Sequence, residues 1–311
     1  MEAAVRRVGL LCVPVALVLA ALVGLRGTTA SATGGSTGAI VAVGAESEYA
    51  NVISQVGGKW VKVTAIESNP NIDPHTFEAS PSVAKVVSAA RVVVQNGVGY
   101  DRYMSNIESA SPNSSRKVID VQKLLGLPDS TPNPHLWYMP STMPSVARAL
   151  AGALAAIEPS HAGYFRANAT NFVNSLKPWY RALEAFASRY PKTPVATTEP
   201  VGDYMLAAAG AVNLTPFSFQ ADVMNGVDPA PQAVTLENAL FSRHRVKVFL
   251  YNRQVTSSLT GSFLSAAKKY GVPVVGVYEA LPAGYSYQSW MLAEVTALQN
   301  AVANKTSTQT L

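Results

Sequence analysis

Beyond position 12 the sequence contains no cysteine. Such a chain forms no disulfide there, offers no thiolate to a metal and carries no cysteine nucleophile, so any metal ligands must be histidines and carboxylates. Histidine is nearly as scarce, with four in 311 residues. Charged side chains make up 14% of the sequence against 48% hydrophobic, which excludes a disordered tail and fits a globular chain. The net charge of +5 is a mild excess, and Trp137, Tyr138 and Trp290 do not interleave with basic residues. Both facts argue against a nucleic-acid partner. Enzyme signatures are also missing: there is no Gly-x-Ser-x-Gly, no His-Glu-x-x-His and no phosphate-cradling loop, and Gly97-Val98-Gly99 lacks the third glycine of a dinucleotide fingerprint.

One long apolar run is present, at residues 10–23, preceded by Arg6 and Arg7 and followed by small residues ending in Ala30-Ser31-Ala32. These are the three parts of an export signal, with cleavage expected after Ala32 and an uncleaved N-terminal anchor as the alternative. Cys12 lies near the start of the run, not behind it where a lipid-anchor cysteine would stand, and reads as one more apolar residue. The protein is thus expected outside the cytoplasm, periplasmic or at the cell surface.

After a Gly/Ser/Thr linker at 33–37, apolar period-2 runs alternate with helical patterns. Strands are expected at 38–43, 61–66, 91–96 and 117–120, with helices at 51–56 and 81–90. Residues 143–157 form a helix with Val146, Leu150, Leu154 and Ile157 on one face. From Ser160, the residues Phe165, Ala169, Phe172, Leu176, Trp179, Leu183 and Phe186 recur at alternating spacings of four and three, the stripe of a packed helix of roughly 40 Å that Pro178 bends. The rhythm then resumes, with strands at 194–198, 211–217, 246–251 and 272–278, helices at 204–209, 231–241 and 257–270, a closing helix from Ser289 and a frayed tail from Asn304. The fold class is α/β: two lobes, each with a mainly parallel sheet flanked by helices, bridged by one long interdomain helix. The divisions are a signal at 1–32, an N-terminal lobe at 33–158, a linking helix at 159–190 and a C-terminal lobe at 191–311.

Four residues follow strands or Pro-framed loops, where α/β proteins bind ligands: His75, His135, Glu199 and Glu279. His75 lies in Asn69-Pro70-Asn71-Ile72-Asp73-Pro74-His75, held from behind by the helix signal Ser80-Pro81. His135 is delivered by a loop carrying Pro128, Pro132 and Pro134. Two imidazoles and two carboxylates, two per lobe, would suit zinc or manganese better than copper(I) or an iron–sulfur cluster. His161 and His244 read as surface residues, the latter between Arg243 and Arg245. At this point the residues leave three readings open: metal capture, a metallohydrolase with Glu199 or Glu279 as general base, or a binder of a metal chelate.

The stretches Asn71-Ile72-Asp73-Pro74-His75-Thr76-Phe77-Glu78, Asn96-Gly97 and Asn133-Pro134-His135-Leu136-Trp137, with the strut from Ser160, resemble the zinc and manganese solute-binding proteins of bacterial ABC transporters over nearly the whole chain after the signal. The resemblance implies a non-enzymatic, monomeric protein that captures Zn2+ or Mn2+ between lobes and passes it to the transporter's membrane permease. It places Glu199 at the third ligand position, with Tyr204 matching a tyrosine five residues on, and Glu279 at the fourth. Members usually carry Asp at that fourth position, which leaves Asp203 as the other carboxylate to consider. Asn252 replaces a frequent Glu, Met139 stands where an acidic residue often precedes Pro140, and residues 101–131 contain none of the histidines of a His-rich loop.

Overall fold

The computed structural model describes residues 38–71 and 73–311. The export signal, Cys12, the cleavage site and the linker at 33–37 lie outside the described residues. The chain begins with β1 (Ile40–Glu46), whose residues are buried save one, and α1 (Ser47–Gly57) follows with no intervening loop. Gly44 permits this reversal, since a Cβ there would lie 2.7 Å from Ala50 Cα and against Ala50 N. Backbone cannot yield as a side chain can. Gly44→Ala is therefore expected to cost about 1–3 kcal/mol, as overpacking does, read as a drop of several degrees in the thermal midpoint; an unchanged midpoint would contradict the close approach.

The first sheet continues with β2 (Val61–Glu67), β3 (Val92–Gln95) and β4 (Lys117–Asp120), all parallel in the order β2-β1-β3-β4. Its helices are α2 (Pro81–Ala89), where Ser80 Oγ accepts from Val83 N, α3 (Arg102–Ala110), α4 (Val121–Leu124) and α5 (Thr142–Ile157). The sequence pattern does not predict α3, because Met104 is its one buried residue.

The long helix is bent, as Pro178 requires. It forms as α6 (Ala162–Ser175) and α7 (Lys177–Arg189), separated at Leu176. Pro178 has no N–H to return to the preceding turn, and Leu176 N donates three residues back to Val173 O at 3.3 Å. All seven stripe residues from Phe165 to Phe186 are buried.

The second sheet repeats the parallel pattern as β6-β5-β7-β8, from β5 (Pro194–Thr197), α8 (Asp203–Ala208), β6 (Val212–Asn213), α9 (Phe217–Met224), α10 (Pro231–Ser242), β7 (Val248–Asn252), α11 (Ser258–Lys269), β8 (Val274–Val277) and α12 (Tyr287–Asn304). Two expectations need correction. The strand at 211–217 is only two residues long, because Pro216 ends it and Phe219, Gln220 and Val223 bury themselves at helical spacing in α9. The tail is not frayed: Thr308 N donates to Val274 O and Gly276 N donates to Thr308 O, laying the tail along β8.

One hydrophobic cluster joins Val94, Leu136 and Trp137 to Leu250, Val277 and Trp290, so both sheets share a core. A wide parting of the two sheets would expose it. Among the described residues no helix is long and apolar enough to cross a membrane.

Candidate metal centre

The carboxyl ends of the two sheets meet, and the side chains that follow their strands form the centre. His75 sits on a single 3-10 turn, Pro74–Thr76, opened by Asp73, whose Oδ1 accepts from His75 N at 2.9 Å. The Asp-Pro-His sequence thus aims the ring by a side-chain cap and a fixed proline φ. His135 begins the 3-10 turn Leu136–Tyr138 and is fully buried. Glu279 follows β8, and its backbone N–H is taken by Gln254 Oε1.

His75 Nε2 lies 3.3 Å and His135 Nε2 3.1 Å from the same oxygen, Glu279 Oε2. Tyr100 donates to that oxygen at 3.0 Å. One ring nitrogen each of His75 and His135 and a carboxylate oxygen of Glu279, atoms of the kind that bind metals, all fall within 4.8 Å of one another. His75 stands at the mouth with 24% of its side chain exposed, whereas those of His135 and Glu279 are enclosed. Glu199 is not within that trio. It lies one hydrogen bond away: Asn252 Nδ2 donates to Glu199 Oε1 at 3.2 Å and to Glu279 Oε1 at 2.6 Å. Glu199 is 2% exposed and its Oε2 has no hydrogen-bond partner. Asp203 is committed elsewhere, accepting from Asn213 Nδ2 and Gln220 Nε2 at 2.9 and 3.0 Å. His161 packs edge-on against Trp60, and His244 is exposed.

A chain of hydrogen bonds fixes how His135 presents itself. Asn133 Nδ2 donates to Pro200 O at 2.7 Å, which turns Asn133 Oδ1 towards His135, where it accepts from the backbone N–H at 3.0 Å and faces Nδ1 at 2.8 Å. An amide oxygen there requires the proton on Nδ1, which leaves the Nε2 lone pair facing the centre when the ring is neutral. Tyr204 also donates to Asn133 O at 2.9 Å. The sequence motif contains Asn133, but this orienting role is invisible without the residues at 200 and 204.

The electrostatics divide the two carboxylates. Burial works against the charge on Glu279, yet the imidazoles of His135 and His75 hold its carboxyl well below the usual range. Glu199 is pushed up, by burial first and by the charge of Glu279 second. For His75, burial opposes the charged ring, but the bond to Glu279 and its charge more than offset this and raise it. Beside the centre a cavity of about 140 Å³ is lined by Glu46, Glu67, Asp73 and Glu279. Glu46 and Glu67 are register partners at the ends of β1 and β2, both buried, and burial pushes Glu67 up to about 8.

Over residues 43–301 the sequence matches the family described as zinc-uptake complex component A, periplasmic, and the chain belongs to it. It is 28% identical over 137 residues to the manganese-binding lipoprotein MntA of Bacillus subtilis, covering 42% of this chain and 44% of that one. A putative metal-binding protein of Treponema pallidum is 23% identical over 168 residues, 48% and 53% of the two chains. The chain spans about half the length of these curated relatives. The fold matches a crystal structure of ZnuA with a TM-score of 0.69 at 19% identity, covering 85% of this chain and 100% of that one. It also matches a manganese-bound periplasmic metal-binding protein from Candidatus Liberibacter asiaticus, TM-score 0.67 at 18% identity, covering 85% and 99%.

Proposed function

We propose that this protein is the extracytoplasmic component of an ABC metal-uptake system, which captures one zinc or manganese ion at His75, His135, Glu279 and Glu199 and delivers it to a membrane permease. The observation that carries the reading is the convergence of two imidazole nitrogens and a carboxylate oxygen from both sheets on one point. Imidazole and carboxylate together suit borderline divalent ions. Membership of a periplasmic zinc-uptake family supports it, as do a relative named for manganese binding and a fold neighbour bound to manganese. On this reading no reaction is catalysed. The ion is cargo, lobes at 33–158 and 191–311 enclose it about the linking helix at 159–190, the signal at 1–32 exports the chain, and the carrier is monomeric.

The centre has what capture needs. Asn133 sets the tautomer of His135, and Glu279 keeps a negative charge in an enclosed site that offsets the cost of stripping water from a cation. His75, at the mouth, is the ligand an arriving ion meets from solvent. Equilibrium dialysis of the purified chain from residue 33 onward against Zn2+ and against Mn2+ is expected to show one ion bound per chain. Failure to bind either stoichiometrically would sink the reading.

A further inference from the structure

The amino ends of the second sheet's strands, away from the metal centre, carry an unbalanced row of charge. Arg189 and Lys192 precede β5, Arg243, Arg245 and Lys247 precede β7, and Lys268 and Lys269 precede β8. The tail adds one more. Because Thr308 pairs in parallel with Val275, Lys305 also stands at the amino end of β8. All eight residues are exposed. No Asp or Glu stands at 189–193, 243–247, 268–273 or 305–307.

The sheet order brings these segments together. β5, β7 and β8 are neighbours, Lys247 N donates to Pro194 O at 2.8 Å, and the rings of His244 and Tyr270 lie 6.4 Å apart. With about 4.8 Å between adjacent strands, the row from β5 to the tail spans roughly 15 Å. Among the described residues no carboxylate forms an ion pair with any of the eight. Tyr190 and Tyr270 are half-buried in the row, with the Arg189 guanidinium 5.6 Å and the Lys269 ammonium 5.3 Å from their ring centroids.

Helix ends explain part of the row. A cation at a helix carboxyl terminus complements its dipole, and Arg189, Arg243, Lys268, Lys269 and Lys305 stand in the last turns or caps of α7, α10, α11 and α12. Lys192, Arg245 and Lys247 lie beyond those caps. Like charges crowded in this way repel one another unless a partner supplies the counter-charge.

We propose that this basic edge of the second lobe is a docking surface for an anionic phospholipid membrane, whose phosphate headgroups supply that counter-charge. Cations on flexible stems along a row of strand ends, with tyrosines that pair an apolar body with a polar tip, suit a headgroup layer. The family to which the chain belongs is periplasmic, where the partner at hand is a membrane surface and not a nucleic acid. Glu199 and Glu279 follow the opposite, carboxyl ends of β5 and β8. A chain held by its basic edge therefore keeps the metal centre turned from the lipid and open to ions arriving from solvent. The hold is one of charge, so it is reversible and weakens with salt.

The test is co-sedimentation of the chain from residue 33 onward, freed of metal by chelator, with phosphatidylcholine vesicles that contain or lack phosphatidylglycerol. The parent is expected to bind only the vesicles with phosphatidylglycerol and to be released by raised salt. Each Lys or Arg near an anionic surface strengthens binding about five-fold, so combining Lys192→Gln, Arg245→Gln and Lys247→Gln is expected to weaken it by roughly 10- to 100-fold. Combining Lys59→Gln, Lys62→Gln and Lys85→Gln removes the same charge from the first lobe and is expected to leave binding nearly as in the parent. A parent that ignores phosphatidylglycerol, an edge variant that binds like the parent, or a first-lobe variant that loses as much as the edge variant would each overturn the inference. A parent that binds duplex DNA and not these vesicles would overturn it too. The outcome is separable from the capture reading, because the vesicles are met by metal-free protein: a chain that binds them but takes up neither zinc nor manganese would sink capture and leave this inference standing.

Discussion

Glu279→Gln is expected to weaken metal binding by more than the roughly 10- to 100-fold that disturbing an outer-shell partner costs. Glu279 is where four polar groups from both sheets meet: His75 Nε2, His135 Nε2 and Tyr100 Oη at Oε2, and Asn252 Nδ2 at Oε1. Glutamine has nearly the same shape but only one oxygen. Turned towards the histidines, that oxygen leaves the new NH2 group against Asn252 Nδ2, donor to donor; turned towards Asn252, it leaves the centre facing an NH2 group, which offers a cation no lone pair. The negative charge is lost in both poses. Glu279→Asp keeps the charge but draws the carboxylate back by a methylene, and an intermediate loss is expected. Calorimetric titration at pH 7.5 checks both, and parent-like affinity in Glu279→Gln would remove Glu279 from the ligand set.

What could be read from the sequence followed periodicity and turn chemistry. The strand–helix alternation, the seven-residue stripe and the Ser80-Pro81 cap all survive in the structure, because each is set by residues close in sequence. Where local patterns conflict, the reading failed. Phe217-Ser218-Phe219 alternates like a strand, yet Pro216 and the burial of Phe219, Gln220 and Val223 make it a helix. The tail from residue 305 has no local pattern, and its order comes from pairing with β8, some thirty residues back. His75, His135, Glu199 and Glu279 were legible as residues after strands, but not their mutual geometry. That depends on pairs such as Asn133 with Pro200, Asn252 with Glu199 and Tyr100 with Glu279, which are 67, 53 and 179 positions apart. Asn252 was visible only as a departure from a family pattern; its amide orientation, set by Gln254 N, is a property of the folded strand end.

Metal affinity and the stability of the chelator-treated protein are expected to respond to pH in opposite directions. His75, raised in the fold, must be neutral to bind a metal, so protons compete, and affinity should rise from mild acid towards pH 8. Stability of the metal-free fold should fall over the same range. Burial pushes Glu67, Glu237 and Glu294 each up to about 8, and Asp101 to about 6, whereas unfolded carboxyls titrate near about 4. A group whose folded value is raised binds its proton more tightly in the native state. Its stabilising effect is complete below the unfolded value and is lost as pH climbs through the folded one. Raised His75 has the same sign, its contribution fading as pH passes its folded value. Glu279 has the opposite sign, but its carboxyl is held so low that its contribution is lost only in strong acid. Each raised carboxyl contributes a slope of about −1.4 kcal/mol per pH unit between its two values. One such group fully expressed from pH 5 to 8 corresponds to a fall of about 10 °C in thermal midpoint. Scanning calorimetry across that range, with and without saturating zinc, is expected to show the metal-free midpoint falling while the zinc-induced increment grows. Glu294→Gln isolates one contributor, since its oxygen can still accept from Tyr138 Oη and Trp290 Nε1 as Glu294 Oε1 does, at 2.9 and 2.6 Å. The variant should flatten the metal-free slope and leave zinc affinity unchanged; a metal-free midpoint independent of pH in the parent would show that these carboxyls are not held protonated by the fold.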